Sequence, residues 1–284
     1  MPLLDELKYQ HNFTNTEMYL ADYILKSMDE VIEMTLQQLS AASFVSRPTI
    51  IRFYKKLGFK SYYDFRLELE LQMKRSGQKF IDSNKPFDAD ASYIEIAEAV
   101  TILTKQVADS CQDLLDEKVL TEAVELLYSS KRIFLYALGD CYIDAESFIY
   151  RLTKLNIYAT MLNNYSYPLV NLHNIRKEDC IIVISTTGKT LKLESRTIKM
   201  ITDSPARTIL ITSNADPEYR KMFDLVLKVY HGENEVVKIG SLASQLSVIY
   251  ILNVLYSCIY QIDYERNKEI IETYSDYLKN ENLI

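Results

Sequence analysis

The chain has 284 residues, enough for two domains, and its 48% hydrophobic and 25% charged residues are ordinary for a soluble globular protein. Its apolar runs look too short to span a bilayer, and Met1–Glu6 lack the pattern of a signal peptide. We therefore expect a cytoplasmic protein with no membrane partner. The four cysteines form no Cys-x-x-Cys pair, so we expect no metal site, no disulfide framework and no cofactor.

The charge is distributed unevenly along the chain. The net charge is −7, but residues 1–76 hold ten basic and ten acidic side chains, so the remainder carries the whole excess. Residues 47–75 hold eight basic side chains against three acidic ones. A local excess of this kind suits the phosphate backbone of a nucleic acid, although a charge run is more often a solvated face.

The first 76 residues show helical patterns throughout. Four helix starts carry capping residues: Thr14 with Glu17, Thr35 with Gln38, Ser46, and Ser61 with Asp64. The third helix has Pro48 in its first turn and is followed by Gly58, which fits the usual positions of both residue types. This region is therefore predicted to be an all-α domain.

Two of these helices, Thr35–Ser43 and Ser46–Leu57, are joined by a short turn and predict a helix-turn-helix. At 100° per residue, Ile50, Phe53 and Leu57 share the core face of the second helix. Arg, Lys and Thr on its other side are the residue types that contact phosphates and base edges. The alternative is a helical bundle that only docks on a second domain. The candidate DNA-binding residues are Ser46, Arg47, Pro48, Thr49, Arg52, Lys55 and Lys56.

The stretch Leu39–Phe65, LSAASFVSRPTIIRFYKKLGFKSYYDF, resembles the N-terminal domain of RpiR-type bacterial transcriptional regulators. Its pattern Arg-Phe-x-Lys-x-Leu-Gly-Phe, followed by Tyr and Phe, is a fairly specific signature. The resemblance implies that this helix-turn-helix binds operator DNA.

Residues 77–91 contain Gly, Pro, Asn and Asp without periodicity and are predicted to be a linker. The predicted domains are therefore 1–76 and 92–284. The second begins with a helix over 92–115, with an apolar stripe at Ile96, Val100, Leu103 and Val107, and another helix over 118–128.

From Arg132 onward, predicted strands alternate with helices. The strands are Ile133–Leu138, Tyr158–Leu162, Cys180–Ile184, Thr208–Thr212 and Leu225–Val229. A helix over 140–155 and a short helix near 167–173 lie between them, and a last helix over 242–262 has Leu242, Leu246, Ile249 and Tyr256 in phase. This alternation predicts an α/β domain with a parallel sheet covered on both faces and ligands beyond the carboxyl ends of the strands.

The third strand, Cys180–Ile184, ends in small polar residues, Ser185–Thr190, before a predicted helix over 191–203. Hydroxyl groups and the first backbone N–H groups of a helix make an anion site, for which phosphate is the obvious ligand. The alternative is an ordinary strand–turn–helix junction with Thr190 as the N-cap. A P-loop is excluded, because the glycine that it needs before Gly188 is replaced by Val183, inside the strand.

This half of the chain resembles the SIS (sugar isomerase) domain, which implies a flavodoxin-like, five-stranded parallel sheet that binds phosphosugars. Ser185, Thr187, Gly188 and Thr190 match the family motif Ser-x-Ser-Gly-x-Thr, with Thr for the second Ser. The upstream motif Gly-x-Gly-x-Ser reads Ala137–Cys141 here, so one glycine is lost, Cys replaces Ser and Asp140 adds a negative charge. The candidate ligand-binding residues are Gly139, Cys141, Ser185, Thr186, Thr187, Gly188, Lys189 and Thr190.

Two functions fit this architecture. The first is a transcriptional regulator of carbohydrate metabolism whose operator binding responds to a phosphosugar. The second is a sugar-phosphate isomerase or lyase, which needs a general base, for which His173, His231 and Glu235 are the candidates. The complete helix-turn-helix favours the regulator. We therefore expect no catalytic residues in this chain.

A regulator of this kind is expected to be a homodimer or homotetramer, because one helix-turn-helix reads only a short half-site. The helix over 242–262 offers a surface for pairing, unless it is buried within its own domain.

Overall fold

The computed structural model describes residues 3–10, 13–75, 81–163, 170–214, 216–233 and 238–280. The chain forms two compact units, Met1–Ile81 and Asp82–Ile284. Their boundary lies inside the predicted linker 77–91, of which 77–80 fall outside the described residues.

The N-terminal unit is helical. Its helices are α1 (Leu3–Tyr9), α2 (Asn15–Lys26), α3 (Met28–Val31), α4 (Leu36–Ser43), α5 (Arg47–Lys56) and α6 (Tyr62–Arg75). The sequence patterns predict α2, α4, α5 and α6, whereas α1 and α3 are absent from that prediction, although Ser27 and Glu30 have capping-box spacing at the start of α3. Leu20, Ile24, Leu39, Phe53 and Phe65 are fully buried in the core that joins these helices.

Local hydrogen bonds explain where these helices begin. The Thr35 hydroxyl accepts from the Gln38 backbone N–H at 3.3 Å, and the Gln38 side chain accepts from the Thr35 N–H at 2.8 Å. The pairs Thr14–Glu17 and Ser61–Asp64 make the same reciprocal contacts. Each pair satisfies N–H groups that a helix start leaves without intrahelical partners.

Helices α4 and α5 form the predicted helix-turn-helix, with one correction at the start of α5. Ser46 occupies the N-cap position, but its hydroxyl meets the Thr49 hydroxyl at 2.9 Å and makes no side-chain capping bond to the backbone. Gly58 follows α5 with φ of +90°, a conformation that glycine adopts without strain.

The second unit alternates helices and strands as predicted. It contains α7 (Tyr93–Asp113), α8 (Glu117–Ser129), β1 (Arg132–Tyr136), α9 (Asp140–Thr153), β2 (Ala159–Met161), a 3₁₀ helix (Val170–Asn174), β3 (Asp179–Ile184), α10 (Lys189–Leu193), α11 (Ser195–Thr202), β4 (Arg207–Thr212), α12 (Pro217–Met222), β5 (Leu225–Lys228), α13 (Leu242–Ile262) and α14 (Tyr264–Asn280). Residues 167–169 of the predicted short helix lie outside the described residues.

The strands form one parallel sheet in the order β2-β1-β3-β4-β5. This is the flavodoxin-like order, in which the direction of winding reverses between β1 and β3. One face packs against α8, α9 and α13, with Phe148 and Leu252 in that core. The other face packs against α10, α11 and α12, with Ile198 and Tyr219 in a second core. The predicted α/β architecture is confirmed.

Three details of the helices differ from the sequence analysis. The single helix predicted over 191–203 is two helices, α10 and α11, which meet at Glu194. Gly188, and not Thr190, is the N-cap of α10. In α7 the predicted core residue Val100 is exposed, and Ala99 is buried instead. The stripe is displaced because several apolar residues in this helix are consecutive and leave its phase ambiguous.

Helix α13 corrects two further expectations. By length and composition it could cross a membrane, so the expectation that every apolar run is too short is wrong. Its buried residues include Val248, Ile251 and Leu255, whereas the predicted in-phase residue Ile249 is exposed. The helix packs against α7, α8 and α9, which is the position of a core helix.

Candidate functional site

The two loops with predicted ligand-binding residues leave the same edge of the sheet from neighbouring strands. β1 and β3 pair in parallel register, with Tyr136 opposite Val183. Gly139 follows the carboxyl end of β1, and Ser185 follows the carboxyl end of β3. The structure therefore places both loops at the point where the strand order reverses, which is where open α/β sheets bind ligands.

The loop after β3 turns tightly before α10. The Ser185 N–H donates to the Ile211 carbonyl at 3.0 Å, which extends the sheet pairing by one residue. The Gly188 N–H donates to the Ser185 carbonyl at 3.2 Å, and the Lys189 N–H donates to the Thr187 hydroxyl at 3.3 Å. Ser185 is buried, Thr186, Thr187 and Thr190 are half-buried, and Lys189 is exposed. The loop thus gathers four hydroxyl groups and one lysine.

Residues at the end of β4 and directly after it hold this loop, and the sequence analysis did not include them among the site residues. The Thr186 carbonyl accepts from the Ser213 hydroxyl at 2.6 Å, from the Ser213 N–H at 2.8 Å and from the Thr212 hydroxyl at 3.4 Å. The Asn214 side-chain amide donates to the Thr187 carbonyl at 3.2 Å. The Thr-Ser-Asn sequence at the end of a predicted strand was the available signal, since carboxyl ends of parallel strands share one edge.

Gly188 allows the loop and the end of β4 to come this close. Its φ is +80°, and a Cβ atom there would lie 2.8 Å from the Asn214 amide nitrogen and 3.3 Å from the Tyr219 ring. Any other residue would have both a strained backbone and a steric conflict.

The loop after β1 leads into the first turns of α9, which carry two acidic groups, Asp140 and Asp144. Gly139 has φ of 61° and ψ of −137°, a combination that is essentially limited to glycine. Burial is the main cause that raises the pKa of the Cys141 thiol to about 11, and the charges of Asp144 and Asp140 contribute to the same rise, so the thiol is neutral and can offer only a weak S–H donor. Burial also raises the pKa of Asp144, with Asp140 adding to the effect and a hydrogen bond from Gln245 opposing it.

A second buried carboxylate, that of Glu233, is fully engaged in the fold. Its Oε1 accepts from the backbone N–H groups of Ala243 and Ser244 at 2.6 and 3.2 Å. Its Oε2 accepts from the Ser244 hydroxyl at 2.8 Å and from Lys238 Nζ at 3.0 Å. These contacts cap the start of α13. They also occupy the lone pairs of the Glu233 carboxylate that a general base would need to accept a proton.

The structure describes two of the three candidate bases, both of them histidines. His173 is exposed on the 3₁₀ helix, and His231 is half-buried in the segment after β5. Glu235 lies outside the described residues, as does His11.

The predicted DNA-binding residues lie at the start and along one side of α5. Ser46, Arg47, Pro48, Arg52, Lys55 and Lys56 are exposed, and Thr49 is half-buried. An Arg52 Nη atom donates to the Thr49 hydroxyl at 3.4 Å, so the two side chains lie side by side. On the opposite side, Ile50, Phe53 and Tyr54 enter the core.

Lys56 differs from the others because it has partners outside α5, on α2 and in the segment before it. Its Nζ lies 2.8 Å from Glu17 Oε2 and 5.3 Å from the centre of the Phe13 ring. Burial raises the pKa of Glu17, but hydrogen bonds from Lys56 and Thr14 outweigh that effect and leave it lowered. Part of the positive charge of Lys56 is therefore neutralised within the unit.

Comparisons with protein families agree with this geometry in both units. Residues 1–76 match the helix-turn-helix domain of the rpiR family, and residues 126–255 match the SIS domain. The chain is an RpiR-type transcriptional regulator. A regulator from Clostridium perfringens, named as an uncharacterized HTH-type transcriptional regulator, is 25% identical over 90% of this chain and 91% of its own length. The HTH-type transcriptional regulator HexR of Escherichia coli is 24% identical over 89% of this chain and 86% of its own length.

Solved structures share the fold of this regulator. The Vibrio vulnificus NanR protein complexed with ManNAc-6P covers 98% of both chains with 19% identity and a TM-score of 0.58. The sugar isomerase domain of an RpiR transcription factor from Sphaerobacter thermophilus has 16% identity, covers 64% of this chain and 99% of its own, and has a TM-score of 0.55. At these identities the likeness concerns the fold, and the expected flavodoxin-like architecture is confirmed.

Proposed function

We propose that this transcriptional regulator binds a phosphosugar between its β1 and β3 loops and that the bound sugar changes its affinity for operator DNA. The observation that carries the proposal is the loop Ser185–Thr190, bent by Gly188 and held by the end of β4. It presents hydroxyl groups and the cationic Lys189 at the reversal point of the sheet. Phosphate oxygens are strong hydrogen-bond acceptors that suit such a set of donors. The V. vulnificus NanR complex with ManNAc-6P supports this ligand class.

The ligand would act as an effector and not as a substrate. An isomerase or lyase needs a base with a free lone pair near the sugar. The buried Glu233 cannot be that base, because its two carboxylate oxygens already accept hydrogen bonds from the start of α13 and from Lys238. The relatives reported above are named as regulators, which supports the same reading. We propose no catalytic residue and no cofactor for this chain, and we propose that it works in the cytoplasm.

On the DNA side, the proposed contacts are Arg47, Thr49 and Arg52, with Ser46, Pro48, Lys55 and Lys56 around them. Arginine at the start of a recognition helix binds guanine edges or phosphates, and threonine suits bases or thymine methyl groups. We propose that a homodimer or homotetramer binds an inverted repeat, because two joined half-site readers gain specificity over one.

The segment that begins the second unit packs against the segment that follows β5. Asn84 accepts a hydrogen bond from the Ile239 N–H at 3.3 Å, and Ser83 is buried. A Cβ atom at Gly232 would lie 2.8 Å from the Ser83 hydroxyl oxygen, so these segments are closely packed. The segment after β5 leaves the same edge of the sheet as the proposed ligand site. We propose that the bound ligand changes the position of the segment after β5. Residues 83–84 pack against this segment and would pass the change on toward the DNA-binding unit.

A binding experiment tests both halves of the proposal with one preparation. The full chain is screened by thermal shift against a panel of sugar phosphates, each paired with its unphosphorylated sugar. At one hundred times its dissociation constant, a ligand that binds only the folded state stabilises it by about 2.7 kcal/mol. We expect a hit that requires the phosphate, and a gel shift with selected operator DNA should then change on addition of that hit.

The outcomes separate the parts of the proposal. Turnover of the hit into an isomer would identify an enzyme, and stabilisation by sugars without phosphate would reject the anion site. Light scattering without DNA gives the oligomeric state, where a mass near 33.0 kDa would identify a monomer and contradict the dimer.

A further inference from the structure

The turn of the helix-turn-helix contains a bulky residue in an unfavourable conformation. Phe44 has φ of 55° and ψ of 21°, the left-handed region, and its side chain is 90% exposed. Two other non-glycine residues with positive φ occur among the described residues, Gln10 and Asn156, and both are amides. Asparagine and glycine tolerate this region, whereas an aromatic residue there is an outlier.

The turn is fixed on both sides of Phe44, so its exposure follows from the fold. The Ser43 hydroxyl donates to the Leu39 carbonyl at 2.6 Å, and Ser43 is fully buried. The Ser40 hydroxyl donates to the Val45 carbonyl at 2.7 Å, and Val45 enters the core. Because both neighbours are anchored, the ring of Phe44 cannot turn inward without breaking these contacts.

Folding alone therefore does not account for a phenylalanine at this position. Glycine or asparagine would make the same turn without backbone strain and without exposing an aromatic ring to water. A side chain that is costly in the free protein and points outward is expected to gain its compensation in a complex.

The place of Phe44 indicates which complex this is. It lies three residues before Arg47, at the end of α5 that a helix-turn-helix presents to the base edges. Arg47 is the first residue of α5 and Arg52 lies further along the same helix, and both are exposed. The ring thus continues the face that the proposed function assigns to DNA, on which this inference rests.

We propose that Phe44 is a further DNA-contacting residue, whose ring packs against apolar atoms at the edge of the groove. Two sources offer that chemistry, the C5-methyl group of thymine and the carbon atoms of deoxyribose. A methyl contact would make Phe44 a reader of sequence, as apolar side chains against thymine are. A sugar contact would strengthen binding without discriminating between bases.

The test compares Phe44→Asn and Phe44→Tyr in the full-length protein, on an operator selected by the wild type from randomised duplexes. Asparagine fits the left-handed turn, so we expect the melting temperature to be unchanged or higher. Operator affinity should fall about tenfold, the size of a single good apolar contact. The slope of log affinity against log salt should not change, because no phosphate contact is lost. Phe44→Tyr keeps the ring and should keep the affinity.

Control variants distinguish the role of Phe44 from the assignment of the exposed side of α5 as the DNA-binding face. Tyr19→Ala removes another exposed aromatic side chain of the same unit, on α2, and should leave operator affinity unchanged. If Arg52→Ala weakens binding while Phe44→Asn does not, the role of Phe44 is refuted and the face stands. If neither does, the face itself is refuted.

Uracil in place of thymine identifies the atoms involved. If uracil weakens operator binding by the wild type but not by Phe44→Asn, the ring contacts the thymine methyl group. If uracil changes the operator affinity of both proteins equally, the ring contacts deoxyribose. A change of oligomeric mass in Phe44→Asn would instead show that the ring packs against a second copy of the chain, which overturns the proposal.

Discussion

The side-chain amide of Asn214 donates to the carbonyl of Thr187 at 3.2 Å, directly beside the position that a Cβ atom on Gly188 would occupy. The hydrogen bond ties the end of β4 to the proposed phosphate loop. It can form because Gly188 has no side chain, so the shape of the loop depends on both residues.

Gly188→Ala should therefore disturb the loop in two ways. The backbone at φ of +80° becomes strained, and the new methyl group displaces the Asn214 amide. We expect a loss of about 1–3 kcal/mol in the free energy of unfolding, measured by urea denaturation, together with loss of phosphosugar binding. Gly240→Ala is the matched control, since a Cβ atom there meets nothing within 4 Å. Equal stability of the two variants would show that the loop is not under this constraint.

Removing one hydroxyl group from the loop tests its role as a phosphate donor. Thr187→Val keeps the shape of the side chain and removes its hydrogen bond, which should weaken phosphosugar binding by about 1.5–3 kcal/mol, or about ten- to a hundredfold. Isothermal calorimetry with the hit from the thermal-shift screen measures this change.

Thr121→Val is the control for the loss of a threonine hydroxyl. Thr121 lies on the exposed side of α8, where its hydroxyl donates to the Glu117 carbonyl of its own helix. The same affinity in Thr187→Val and Thr121→Val would remove Thr187 from the proposed site.

Arg52 and Lys56 of α5 should contribute differently to operator binding. Arg52→Ala should weaken operator binding by about 1–3 kcal/mol if the side chain contacts a base edge, and it should leave folding intact because Arg52 is exposed. Lys56→Ala should weaken binding less, since Lys56 already pairs with Glu17 at 2.8 Å. Its effect on stability should stay within about 1 kcal/mol, the usual contribution of a surface ion pair. A gel-shift titration in which Lys56→Ala is the more damaging variant would reverse this assignment.

Features that depend on neighbouring residues could be predicted from the sequence. The capping pairs at Thr14 and Thr35 and the β-branched run before Ser185 each lie within a few residues, and the structure confirms them. The phase of α13 could not be predicted, because that helix is apolar on most sides and its buried face depends on α7 and α9.

Contacts between distant segments account for the other features that the sequence analysis did not predict. Ser213 and Asn214 hold the proposed phosphate loop across 27 residues of sequence, and Glu233 caps α13 from ten residues away. The left-handed turn at Phe44 has no local signal, since the usual glycine or asparagine is missing from that position.

The buried carboxyl of Asp144 gives a prediction about pH. Asp144 lies one turn after Cys141 on α9 with one oxygen, Oδ2, buried and without a hydrogen-bond partner, while Gln245 donates to the side chain. Burial raises the pKa of this carboxyl above its ordinary value, so the folded protein holds the proton more readily than the unfolded chain does. Stability should then fall as the pH rises from the unfolded pKa through the raised folded pKa.

Asp144→Asn removes the charge and keeps an oxygen that can accept from Gln245. We expect a stabilisation of about 1 kcal/mol at pH 7, which is a rise of roughly 2–4 °C in melting temperature for a unit of this size. The gain should shrink as the pH falls toward the unfolded pKa of about 3.9 and should vanish well below it, where the wild-type carboxyl is protonated in both states. Calorimetric scans from pH 4 to pH 8 measure this trend, with Glu146→Gln as the control, since Glu146 is exposed on the same helix. A gain that is constant across that range would mean that packing, and not the charge on Asp144, causes the difference.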